Sequence, residues 1–298
     1  MHDMLYYQRS GRMGALGLPL MLGFGIGVGA LLGIPYAYAV NFCPLIYINF
    51  LITMAFGFAI GTAVNIGART GKVRNLGMVM IAGLISGVAA EYVAWVGYVH
   101  AVSKVGVWAW SPGELQVYIE LINAQGIWSI KNSTPTGYVL GAVWLVEAGI
   151  LVGMAVWLPR SGISSAPFNE QTGTWADTTT SYGPFRLKGE LHALTSRLEA
   201  GDTAAINELE PAPASASSFH QCVITSCAGD DQFTLLSLDA INRTYDDKGK
   251  EQLTNRSLLK YLFITPAMRK AIEAKAAEPV KVAEMANAAA EKAVTEAT

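Results

Sequence analysis

Cysteine is scarce in this chain. Cys43, Cys222 and Cys227 are the only three among 298 residues, too few and too scattered for a disulfide framework. Charge is scarce as well, at 15% of residues, and no run of Lys or Arg forms a basic stripe. Residues 1–159 hold seven of the 21 Lys/Arg and five of the 23 Asp/Glu, which leaves 14 and 18 for the remainder. That mildly acidic second part speaks against nucleic-acid binding. No Ser/His/Asp set can be assembled without arbitrary choice. The turn Thr70-Gly71-Lys72-Val73-Arg74-Asn75 lacks the upstream glycine and the strand context of a phosphate loop. With no catalytic signature, the chain is expected to be non-enzymatic and to carry no cofactor. A secretory signal is not expected either, because the first apolar stretch is too long for an h-region and runs on through Pro35 without a small-residue cleavage site.

What the chain does have is long apolar runs. The whole-chain figures, 52% hydrophobic and a mean hydropathy of +0.32, average two unlike parts that meet near residue 159. Four stretches, 16–40, 45–68, 76–102 and 137–158, each have about 20 residues or more. At about 1.5 Å per residue that suffices to cross about 30 Å of hydrocarbon. A bilayer admits only closed backbone structures, so this part is expected to be a membrane all-α four-helix transmembrane bundle. Arg9 and Arg12 precede the first run, Arg69, Lys72 and Arg74 occupy the turn between the second and third, and Arg160 closes the fourth. The 41–44 connection is uncharged, and Lys104 and Lys131 are diluted across the long third connection. The positive-inside rule then places both termini in the cytoplasm of a bacterial-type inner membrane. Arg69, Lys72 and Arg74 are expected to touch anionic lipid headgroups.

Within the third connection, Ser111-Pro112-Gly113-Glu114 reads as a capping box that starts a helix over 112–124. Leu115, Tyr118, Ile119 and Ile122 recur at helical spacing, flanked by Trp108, Trp110 and Trp128. Two placements fit: a helix at the membrane interface, or a lid folded against the spans.

Every apolar run carries glycines four residues apart: Gly25, Gly29 and Gly33; Gly57 and Gly61; Gly83 and Gly87; Gly137/Gly141 and Gly149/Gly153. Helices in lipid gain no hydrophobic energy by touching, so such residues are expected to form packing faces, within the chain or between subunits. Glu91 follows Gly87 by four residues and shares its face. Glu147 lies about 200° and 240° around the helix from Gly149 and Gly153, so it faces elsewhere if those glycines pack inward. No Lys or Arg lies inside any run. A mid-membrane carboxylate costs several kcal/mol, so both glutamates need a proton, a hydrogen-bond partner or water. Ser86, Tyr92, Asn65, Thr62 and Thr53 are the polar candidates. Two readings stand: a polar clamp that fixes the helices or joins subunits, and a proton or cation relay through Glu91 with Glu147 and His100. The polar aromatic run Tyr36, Tyr38, Asn41, Tyr47 and Asn49 suits an interfacial belt or a ligand site.

Residues 160–184, rich in Ser, Thr and Gly, read as a linker. Leu187, Leu191, Leu194 and Leu198 predict an amphipathic helix over 185–199, followed by a short turn of helix to Glu208 and a second linker from Pro211. The runs 219–226 and 232–242 predict a hairpin, 258–264 a third strand and 268–277 a helix. A small cytoplasmic α+β domain over 185–278 is expected, with a helix-prone Ala/Glu/Lys tail over 279–298 that is mobile or docked to a partner. Cys222 and Cys227 are weak zinc candidates, since no second ligand pair accompanies them. The function expected from these features is a structural or scaffolding subunit of a homo-oligomer or larger membrane complex, with the lipid bilayer and other subunits as partners and the tail domain as docking module. The alternative is a channel or a proton/cation-coupled transporter that uses Glu91.

Overall fold

The computed structural model describes residues 5–103, 105–126 and 134–278. The expectations for Lys104, Trp128, Lys131 and the 279–298 tail lie outside them. The chain divides into two compact units, Ser10–Ala166 and the combination of Met1–Arg9 with Pro167–Thr298.

The first unit contains four helices long and apolar enough to cross a membrane: α1 (Gly17–Phe42), α2 (Ile46–Thr70), α3 (Leu76–Val102) and α5 (Gly137–Ser164). The shorter α4 (Pro112–Gln125) lies between the last two. Large apolar side chains such as Leu31, Leu51 and Leu145 are 62–74% exposed on the outer surface. Gly, Ala, Ser and Val occupy most buried positions, and this is how helices pack closely when the surroundings are themselves apolar. This chain is therefore a multi-pass membrane protein by the length and composition of its helices.

Helix α1 packs against α2 and α3, and so does α5. On α2, Gly57 and Gly61 meet α5, where an added Cβ would fall 2.6 Å from the Leu151 carbonyl oxygen and 2.8 Å from that of Met154. Gly67, further along α2, meets α1: a Cβ there would fall 2.6 Å from the Leu20 oxygen and 2.7 Å from Met21 Cα. Helix α3 likewise presents Gly83 and Gly87 to α5 and Ser86, Ala90 and Gly97 to α1. Gly25, Gly29 and Gly33 complete the α1 face against α3, where a Cβ would come within 2.3–2.9 Å of Ser86, Ala90 and Val93.

Helix α5 departs from expectation in two ways. It continues six residues past Leu158, through Pro159, to Ser164. Proline cannot donate to the carbonyl four residues earlier, which is that of Ala155. That carbonyl oxygen would lie 2.5 Å from a Cβ on Gly83, so α3 comes closest where the α5 ladder is open. The second departure concerns packing. Gly141, Gly149 and Gly153 have no atom within 4 Å of an added Cβ, and neither does Gly137. The packing face of α5 is instead the stripe Leu151, Ala155, Pro159 and Ile163, all buried. Gly149 and Gly153, expected to form a packing face within the chain or between subunits, meet no neighbour among the described residues of the chain, because a GxxxG spacing does not reveal which face a neighbour will use.

Helix α4 starts at Pro112 as expected, but Ser111 forms no side-chain cap, so the capping box does not close. Leu115 and Ile122 are buried with Val96 and Val99 of α3, and the contacts are those of a helix folded on its neighbours. The turn between α2 and α3 is closed by bonds from the Gly71, Lys72 and Val73 amides to the carbonyls of Gly67, Arg69 and Ala68. Lys72 takes a positive φ of 50° there, and the Asn75 side chain caps α3 by accepting from the Met78 amide at 3.0 Å.

The second unit is α+β. Strands β3 (Thr178–Leu187), β4 (Leu209–Pro211), β5 (Ser218–Cys227), β6 (Asp230–Tyr245) and β7 (Glu251–Phe263) form one antiparallel sheet in the order β4-β3-β5-β6-β7. A two-stranded sheet pairs β1 (Phe168–Asn169) with β2 (Thr174–Trp175). The hairpin and third strand were expected, whereas β1 to β4 were not. The 160–184 linker is in fact partly strand, and residues 185–187 belong to β3 rather than to the helix, which starts later as α6 (Leu191–Glu199). Thr178, Thr179, Thr180 and Ser181 are exposed along β3 and show no apolar alternation, so β-branching was the only signal of a strand.

Helix α6, a 3-10 turn (Thr203–Glu208) and helix α7 (Pro266–Ala276) cover one sheet face. Leu194, Leu198, Ile206, Met268 and Ile272 meet Phe185, Ile224, Leu236 and Leu238 there. The N-terminal segment also belongs to this unit. The Phe263 amide donates to the Leu5 carbonyl and the Tyr7 amide to the Tyr261 carbonyl, both at 2.9 Å, and Tyr6 bridges Leu262. Tyr7 sets its ring edge-on to Phe233 and Tyr261 at 6.2 Å. Residues 5–7 thus extend the sheet at its β7 edge, a role their sequence does not announce.

A candidate ligand cavity

The helical unit encloses a cavity of about 460 Å³ at the end that carries the 41–44 connection. The last turns of α1, the first turn of α2, the second half of α3 and the first half of α5 build its walls. Both intramembrane carboxylates line it, Glu91 from α3 and Glu147 from α5. Glu147 reaches it because it begins the four-residue series that continues through Leu151, Ala155 and Pro159, the face by which α5 packs. The outward glycines and the inward glutamate are two sides of the same helix rotation.

Aromatic rings form much of the remaining wall. Trp95 donates its indole N–H to Glu91 Oε1 at 3.0 Å. That partner stands one helical turn along α3 and is not among the five polar groups the sequence suggested; an i, i+4 Glu/Trp pair was the signal available. Trp95 also meets Trp144 edge-on at 4.9 Å and Tyr98 at 5.8 Å. Tyr36 stacks on Phe56 at 4.7 Å, with its hydroxyl 2.9 Å from Thr53 Oγ1. Thr53 in turn donates to the Asn49 carbonyl at 2.9 Å. These contacts hold the rings in place, and among the described residues no Lys, Arg or His lines the cavity.

No protein-family model matches this chain, and no curated protein or solved structure shows a significant similarity to it. Its function is read from its own geometry.

Three expected site elements stand apart from the cavity. His100 does not line it; its Nδ1 lies 2.6 Å from the Tyr38 hydroxyl, and its ring stacks on Trp108 at 3.9 Å. His100 thus lies outside the lining, beside Tyr38 and Trp108. Tyr92 donates instead to the Trp110 carbonyl, Thr62 to the Phe58 carbonyl, and Ser86 faces α1. Of the basic turn, Lys72 is exposed and Arg69 half-buried, whereas Arg74 is buried and donates to the Lys72 carbonyl. Its amide donates to the Arg12 carbonyl at 2.8 Å, so Arg74 builds the turn.

In the tail unit, Cys222 and Cys227 belong to separate clusters. They stand five apart on β5, an odd number, which sends the side chains to opposite faces of the sheet. They cannot share one metal ion from there. Among the described residues, no group of three His, Cys, Asp or Glu side chains could hold a metal. Burial, helped by Asp239, pushes the Cys222 thiol up to about 12, and burial also raises Cys227.

Proposed function

We propose that this protein is a channel or proton/cation-coupled transporter in which Glu91 and Glu147 together form the cation site. The observation that carries the reading is that both carboxylates line one cavity and that, among the described residues, no basic side chain lines it with them. A carboxylate in apolar surroundings is costly unless it holds a proton or faces a cation. Two such groups on one cavity give the elements of exchange, protons in one state and a cation in the other.

The expected setting is a bacterial-type inner membrane with both termini cytoplasmic, which opens the cavity toward the non-cytoplasmic side. Charge placement supports that orientation: Lys72 and its neighbours lie at the end of the helices opposite the uncharged 41–44 connection. The pairing of residues 5–7 with β7 supports one part of this, that both segments lie on the same side, without saying which. It joins the segments before and after the four helices in one sheet, as an even number of crossings requires.

The test is cation and proton flux into vesicles reconstituted with purified protein. Flux is expected, with a loss of at least tenfold in Glu91→Gln and in Glu147→Gln. Flux that survives Glu91→Gln overturns the reading.

The scaffold reading rests on a different observation, the exposed glycine face of α5 at Gly149 and Gly153. Such a face admits a second helix from another copy or another subunit. Mass measurement of the detergent-solubilised protein tests it: a homo-oligomer that Gly149→Leu dissociates supports an assembly contact, and a monomer removes the homo-oligomeric version.

A further inference from the structure

We propose that the guest of the cavity is an organic ammonium ion rather than a bare metal ion. This deepens the reading above and rests on it in one respect, that the two carboxylates bind a cation.

Size comes first. A cavity of about 460 Å³ falls in the range of about 300–1,000 Å³ typical of small-molecule sites, and a single water occupies only about 30 Å³. A hard cation shrinks its site to a shell of six or more oxygen ligands. Here two carboxylates are the charged groups among the described lining residues, and much of the wall is aromatic carbon.

The chemistry of that wall is specific. Trp95, Trp144, Tyr36 and Tyr98 come from three helices and are held in place by the edge and stacking contacts described above. An aromatic face attracts a cation through its quadrupole, most strongly for Trp and most strongly when desolvated, and alkylammonium groups are the cations whose size and weak hydration suit it. Glu91 and Glu147 supply the counter-charge. Trp95 serves both needs, because its N–H fixes Glu91 while its ring remains part of the wall. Asn49 lines the same cavity and leaves its Oδ1 without a hydrogen-bond partner, an acceptor in reserve for an N–H-bearing guest.

The ammonium can belong to a soluble amine or to a lipid headgroup, and the chemistry is the same. The decisive comparison is choline against 3,3-dimethyl-1-butanol, its neutral isostere, titrated calorimetrically into full-length protein in phosphatidylglycerol nanodiscs. Choline is expected to bind with the isostere at least tenfold weaker. Glu147→Gln is expected to weaken choline at least tenfold, and Trp144→Leu severalfold. The isostere comparison needs no variant, so a misfolded mutant does not decide it. Equal binding of both compounds, or no binding of choline at millimolar concentration, overturns the proposal. A headgroup guest is distinguished by repeating the titration in phosphatidylcholine nanodiscs: soluble choline then competes with the lipid and its apparent affinity falls, whereas for a soluble guest it does not. Binding is measured here without flux, so the two readings fail separately. Choline binding without transport removes the transporter and leaves the site; proton or potassium flux without choline binding removes the site's guest and leaves the transporter.

Discussion

The two units of this protein are built inside out with respect to each other. In the helical unit many large apolar side chains point outward and Gly, Ala, Ser and Val take most interior positions, with Met21, Ile60, Leu151 and Ile163 among the exceptions. In the tail unit Phe185, Leu194, Leu236 and Leu262 are wholly buried and the exposed strand positions are mostly polar, such as Thr178, Thr180, Gln252 and Asn255. The difference follows from what each unit displaces. Burying a large side chain away from water is worth roughly 25 cal/mol per Å², but nothing comparable is gained where the surroundings are hydrocarbon. There, close backbone approach and dispersion hold helices together.

Substitutions that exchange the two building rules should therefore have opposite effects. The largest loss is expected for Gly67→Leu, whose side chain would be driven into the backbone of α1. About 3 kcal/mol or more is anticipated, read as a fall in thermal midpoint of the detergent-solubilised protein. Gly149→Leu has the same chemistry on the open face of α5 and should change monomer stability by less than about 0.5 kcal/mol. Equal damage from both would erase the distinction between the two glycine faces.

In the tail the rule reverses, and removing bulk is what hurts. Leu236→Ala empties part of the core beneath α6 and α7 and should cost about 2–5 kcal/mol, measured as a loss of the cooperative unfolding transition of the sheet. If it costs no more than an exposed-position change such as Leu253→Ala, the tail core is not organised as described.

The smallest effect concerns Cys222. Its thiol ionises near 12 when folded and near 8.5 when unfolded. Its contribution to stability is present in full below about 8.5 and is lost as the pH rises toward 12. At pH 8, alkylation of Cys222 in the native protein should be slower than in denatured protein by orders of magnitude. Comparable rates would show that the strand is open.

Legibility in the sequence divides along the same line. The helical unit was readable because hydropathy and length are enough to locate an apolar helix, and 76–102 has the same limits in both readings. Glu91 was placed on a packed face because Gly83 and Gly87 sit on it. Glu147 could not be placed, since α5 offers two four-residue series, one of glycines and one of Leu151, Ala155 and Pro159, and only the neighbours choose between them. Of the polar aromatic run read as an interfacial belt or a ligand site, Tyr36, Asn41, Tyr47 and Asn49 line the cavity, but their meeting with Trp95 and Trp144 depends on how four helices are rotated and could not be read locally. In the tail, β5 and β6 announced themselves by alternation, but β3 is an exposed Thr-rich strand and β4 has three residues. Residues 5–7 pair with a strand more than 250 positions away, and no local pattern encodes a partner that distant.

That last pairing has a consequence for biogenesis. The ribosome makes Leu5–Tyr7 long before β7, so on the proposed topology the segment must wait for its partner strand while four apolar helices are inserted. A span that fails to insert, or inserts twice, would strand the N-terminal segment across the bilayer from its partner. Tyr7 would then leave Phe233 and Tyr261 without their third ring, and the β7 edge would stay open to proteases. On the proposed topology, closure of the sheet therefore requires that an even number of spans has been inserted in between.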